Sequence, residues 1–169
     1  MVPCRTSGRR QGAKNTNLYE GGQMSSFYNY KCTPFTWHEM NGLYIIDNNF
    51  YIQFDDKVNL YVFKLKKGLM TDGGSIPKVF QWFAKGWSDD YKYNSTFILH
   101  DALYGSELVH RDIADDILRS SLRDCGIDRL HASTICWCVN KFAKNHYGRL
   151  KDDLNIAEFI ELVTITRYN

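Results

Sequence analysis

From Leu43 to Leu65 the apolar positions fall into short aromatic and β-branched runs: Leu43-Tyr44-Ile45-Ile46, Phe50-Tyr51-Ile52-Gln53-Phe54 and Val58 to Leu65. Asp47-Asn48-Asn49 and Asp55-Asp56-Lys57 separate them with turn-forming residues. This predicts an antiparallel meander of about three strands whose aromatic side chains fill a core. The spacing then changes to three and four. It predicts a central helix over 89–105 ended by Gly105, a helix from about His110 to Asp124, and an amphipathic helix over 129–146 that Asp128 caps. Between sheet and helices, Met70-Thr71-Asp72-Gly73-Gly74-Ser75-Ile76-Pro77 reads as a strand-to-helix loop. Ser75 is placed to cap a helix and Pro77 to sit in its first turn. Asp152-Asp153 reads as loop, and Phe159 to Thr166 fits helix or strand equally well. The fold class expected is α+β, a small antiparallel meander followed by a bundle of three or four helices.

Candidate chemistry concentrates on two of these helices. Tyr93, Phe97, His100 and Tyr104 share one face of the central helix, which carries His100 into apolar surroundings with Asp101 beside it. A histidine so placed is a candidate base, since imidazole titrates near neutrality. It could equally be a core residue satisfied by a backbone carbonyl. On the next helix Asp112, Asp116, Arg119 and Arg123 line one side as a solvated ion-pair face. Asp115 falls in line with Leu118 and Leu122 instead, at the border of the apolar stripe, where a carboxylate needs a partner. The Asp72 loop offers amides for an anion, or a carboxylate and carbonyls for a hard cation, although a well-made turn explains it too.

Composition narrows the field. The 169 residues are 44% hydrophobic and 15% aromatic, as in a globular chain, and a formal charge of +2 implies no general affinity for polyanions. No apolar run approaches the roughly 20 residues of a membrane span, and no apolar segment of signal-peptide type opens the chain. The five cysteines, Cys4, Cys32, Cys125, Cys136 and Cys138, follow no zinc spacing and read as reduced packing residues. His131 and His146 read as surface residues. Residues 1–23 are rich in Gly, Arg, Asn and Gln and read as a disordered or non-native extension before one α+β domain over 24–169. Glu20-Gly21-Gly22-Gln23 can be encoded by a purine-rich run like a bacterial ribosome-binding site, so Met24 is the expected start.

Two resemblances extend this reading. Thr71-Asp72-Gly73-Gly74-Ser75-Ile76-Pro77, then Leu99-His100-Asp101-Ala102-Leu103-Tyr104, then Arg111 and Ala114-Asp115, resemble the phage and prophage family known as domain of unknown function 1353, over roughly 43–145. That implies a bacteriophage or prophage origin, with a place in the host cytoplasm or the virion, and supplies no activity. More locally, His-Asp-x-x-Tyr on one helix with Ala-Asp on the next resembles the catalytic helices of secreted and parvoviral phospholipases A2. Carried over, His100 is the general base, Asp101 a calcium ligand, and Tyr104 and Asp115 orient the histidine. The loop of Asp72, Gly73, Gly74 and Ser75 supplies a further metal ligand and oxyanion donors. The phospholipase disulfides are absent, and the glycine pattern differs from a calcium loop. The implied function is a calcium-dependent hydrolase acting on a phospholipid or other ester. Zinc held by two or three of His100, Asp101, Asp72 and Asp115 is a variant. The alternative is a non-enzymatic virion or tail component, or a binder of a host defence protein, in which the same residues are a buried polar network.

Overall fold

The computed structural model describes residues 28–55, 59–71, 90–142 and 156–166. Seven strands and three helices lie among them: β1 (Tyr28–Cys32), β2 (Trp37–Met40), β3 (Leu43–Ile46), β4 (Phe50–Asp55), β5 (Asn59–Leu65), β6 (Met70–Thr71), α1 (Tyr91–Ser106), α2 (Arg111–Asp124), α3 (Arg129–Phe142) and β7 (Ile160–Thr166). The fold is α+β. The helix expected after Pro77, the loop 72–75, His146 and the Met24 boundary lie outside the described residues.

The antiparallel strands divide between two sheets, one in the order β1-β4-β5-β7 and one in the order β2-β3-β6. β4 and β5 form the expected pair, with Phe50 opposite Leu65 and Ile52 opposite Phe63. β3 pairs instead with β2 and β6. The stretch that periodicity left open is a strand: β7 lies beside β5 with Val163 opposite Val62. Inward residues Ile52, Phe54, Phe63 and Leu65 join Ile98, Leu99, Leu103 and Leu118 in one continuous core running from the sheet into the helices.

Helix α1 is enclosed on nearly all sides, which is why residues as polar as Asn94, Ser95, Thr96 and His100 are buried within it. Asp90 starts it by accepting a hydrogen bond from the Lys92 amide at 2.9 Å. Gly105 does not end it. The helix runs one residue further, and Glu107, in the left-handed region with φ of 52°, turns its amide back to the Leu103 carbonyl. Gly105 is required for packing: a Cβ there would lie 2.6 Å from Ile156 Cδ1, in the short 3-10 helix (Ile156–Glu158) that leads into β7. Asp128 caps α3, accepting from the Leu130 and His131 amides, each at 3.0 Å.

Candidate functional site

The site forms where α1, α2 and α3 meet. Arg111 opens α2, so Asp115 stands on its second turn, on the side that faces α1. The helical phase shared with Leu118 and Leu122 delivers it there: Asp115 is 4% exposed and Leu118 and Leu122 are sealed. From α1, one turn apart, come His100 and Tyr104, whose rings lie 4.1 Å apart between centroids.

Asp115 is the hub. Its Oδ1 lies 3.0 Å from His100 Nε2 and accepts the Tyr104 hydroxyl at 2.6 Å. Its Oδ2 accepts from Asn140 Nδ2 of α3 at 3.1 Å and lies 3.9 Å from Arg111 Nε. Arg111 also donates to the Tyr104 hydroxyl at 3.2 Å and to the Asn140 carbonyl at 2.6 Å. A carboxylate with this many donors meets the requirement for burying a charge.

Electrostatics assign the protonation states. Burial pushes the Asp115 carboxyl up, but the hydrogen bonds from His100 and Tyr104, the charge on His100 and the Asn140 bond outweigh it. The group is held below its ordinary value of 3.8. Burial lowers His100 below 6.5, and its bond and charge interaction with Asp115 only partly restore it. At neutral pH the pair is therefore a carboxylate and a neutral imidazole. A carboxylate only accepts, so the imidazole proton sits on Nε2 and Nδ1 carries a lone pair. Nδ1 has no hydrogen-bond partner among the described residues. Burial, reinforced by the bond to Asp115, holds the Tyr104 hydroxyl well above its usual range, so it remains a donor.

His100, Tyr104 and Asp115 are thus brought together, as the motif implies. Asp101 is not part of this group. One residue along the helix, it points towards β6 and accepts the Thr71 hydroxyl at 2.5 Å. Asp72, Gly73, Gly74 and Ser75 follow Thr71 in the chain and lie outside the described residues. Among the described residues no three His, Cys, Asp or Glu side chains gather to hold a metal ion. His100 and Asp115 engage each other while Asp101 engages Thr71, so these three make no zinc ligand set. The oxygens of Asp101 and Thr71 are donors of the kind a hard cation takes, and calcium needs six to eight of them.

Asn140 belongs to none of the sequence motifs quoted above. The signal that finds Asp115 also finds Asn140: it follows Cys136 by four and Val139 by one, bordering the buried stripe of α3. Arg111 was visible only through the family motif, and its reach to both flanking helices is not. Beyond Asp115, a cleft of about 560 Å³ opens between α2 and α3, lined by Ile113, Asp116, Arg119 and Asn140 among others. Asp116 and Arg119, one turn apart on α2, pair at 2.9 Å along its wall, as the ion-pair face predicts.

Among the described residues no helix is long and apolar enough to cross a membrane. No curated protein and no solved structure matches the chain. The family described as Protein of unknown function (DUF1353) matches residues 46–139, which hold β4 to α2, most of α3 and every member of the site except Asn140. That span is more than half of the sequence and carries the motifs quoted above, and the chain belongs to this family.

Proposed function

We propose that the protein is a phage or prophage hydrolase of an ester or related acyl bond, phospholipids included, with His100 as general base. The observation that carries this is a buried, neutral imidazole with Nε2–H committed to Asp115 and Nδ1 unpartnered among the described residues. A water at Nδ1 gives up its proton there as its oxygen attacks the acyl carbon. The imidazolium formed is stabilised by Asp115, and the proton then passes to the leaving alkoxide. Tyr104 and Asn140 keep Asp115 in place throughout. Calcium at Asp101, completed by Asp72 and its loop, would offset the charge on the attacked carbonyl oxygen. The Gly73, Gly74 and Ser75 amides would add oxyanion donors.

Calorimetry with calcium and turnover of a panel of phospholipids and simple esters test the reading. The expected result is calcium binding that Asp101→Asn weakens, and turnover that His100→Ala abolishes. No turnover across the panel, or turnover that survives His100→Ala, overturns it. One observation favours a second reading, a non-enzymatic virion component or binder of a host protein: Asp115 is satisfied on both oxygens, as a purely structural hub would be. Presence of the protein in purified particles, without hydrolysis, would select that reading.

A further inference from the structure

We propose that β7 is the contact strand of a symmetric dimer: the β7 strands of two copies pair antiparallel and join their two four-stranded sheets into one. The proposal does not depend on the hydrolase reading. β7 is an end strand of its sheet, in unbroken register with β5 from Ile160 to Thr166. The Lys66 amide donates to the Phe159 carbonyl at 2.9 Å, which fixes the phase of the ladder. From that rung on, Glu161, Val163 and Ile165 turn their amides and carbonyls to β5. Ile160, Leu162, Thr164 and Thr166 turn theirs away from the sheet. These outward groups have no partner among the described residues. The other end strand of the sheet is blunted. β1 is irregular between Tyr28 and Lys31, Asn29 lies in the left-handed region with φ of 58°, and Asp124 Oδ2 takes the Tyr30 amide at 2.8 Å. Features of this kind keep an edge from pairing with another chain. β7 has no bulge, no proline and no left-handed residue.

A second copy fits this edge because the strand is complementary to itself. With the two-fold axis at Val163, Leu162 pairs with Thr164 of the second copy and Ile160 with Thr166, so every outward amide and carbonyl is bonded. Val163, 55% exposed in the single chain, then faces its own counterpart. Ile165, 48% exposed, lies opposite Glu161 of the second copy. Charge agrees with this register. Glu161 is the one charged side chain of β7, and Lys64 and Lys66 already hold it at 3.5 and 2.6 Å. Antiparallel pairing keeps the two Glu161 carboxylates roughly 13 Å apart along the strands. Parallel pairing in register would set them side by side. A formal charge of +2 per chain adds little repulsion between copies. A single ladder is a small interface, so the dimer is a weak one.

Sedimentation velocity of the full chain over a concentration series tests the proposal. The expected result is a monomer–dimer equilibrium with a midpoint on the order of 10 µM. Val163→Lys sets two like charges face to face at an exposed position. It should weaken the dimer by about tenfold or more, with an unchanged circular dichroism spectrum. Should that variant not fold, Thr164→Pro takes its place, since it deletes an outward N–H and none that β5 receives. Cross-linking reads the register. With oxidised glutathione, Val163→Cys should link to its counterpart, two thiols closing one disulfide as the glutathione disulfide is reduced to two thiols. Ile165→Cys, roughly 13 Å from its counterpart, should link no more than the parent, which has five cysteines of its own. Hydrogen exchange at the Leu162 and Thr164 amides should slow as the dimer forms. A monomer at every concentration up to roughly 0.5 mM overturns the proposal. So does a dimer that survives Val163→Lys or Thr164→Pro, or linking of Ile165→Cys in preference to Val163→Cys.

Discussion

Of the histidine–aspartate pairs among the described residues, two occupy opposite environments. On the small sheet, His38 Nδ1 of β2 meets Asp47 Oδ1, just past β3, at 2.7 Å with side chains 54% and 37% exposed. On the helices, His100 meets Asp115 at 3.0 Å with both side chains 6% exposed. By length alone the surface pair is the stronger. Its surroundings make it the weaker, because water screens the attraction and offers each partner a substitute. The buried pair has no such substitute and is fixed by Tyr104, Asn140 and Arg111, so its energetic and chemical consequences are larger.

The sharpest way to break that contrast is to remove one acid from each pair. Asp115→Ala strands the His100 and Tyr104 donors in the core and should cost about 3 kcal/mol in chemical denaturation. Tyr104→Phe keeps the ring and deletes one donor to the hub, so a loss of about 1.5 kcal/mol is expected from the same measurement. Acid should act on the buried pair as well. His100 binds its proton less readily folded than unfolded, so stability falls as pH drops below 6.5 towards its lower folded value. The slope is at most about 1.4 kcal/mol per pH unit for one proton. Asp115, depressed below 3.8, adds a further loss only under more acid conditions. Thermal melts from pH 7 to 5 should show the slope in the parent and a flatter one in His100→Gln. Asp47→Ala, the smallest effect, should change stability by no more than about 0.5 kcal/mol. A cost like that of Asp115→Ala would mean that burial does not separate the two pairs.

The same contrast explains what was legible in the sequence. Asp115 could be singled out because a helix has a fixed period, and a carboxylate in phase with Leu118 and Leu122 must turn inwards. Gly105 illustrates the limit of local rules. Glycine after an apolar run is a common helix end, but here the reason for glycine is Ile156, some 50 residues away in the chain and adjacent in space. β7 could not be settled because its type is decided by the open side of β5, which lies outside its own sequence. β2, Trp37 to Met40, is mostly exposed and has no alternation to read, whereas β1 carries Tyr28, Tyr30 and Cys32 at every second position. Asp101 adjoins His100 in sequence, yet one step along a helix turns a side chain by about 100°, which is enough to give the two residues different partners.

The contact between Gly105 and Ile156 bears on the geometry of the candidate site although it involves no polar group. A single added methyl would meet Ile156 Cδ1 at 2.6 Å, so either that side chain or the helix that carries His100 and Tyr104 would have to shift. Catalytic geometries tolerate displacements of only about 0.5 Å. The tolerance of this site is therefore set at its back wall, by how closely the main chain at Gly105 can approach the Ile156 side chain.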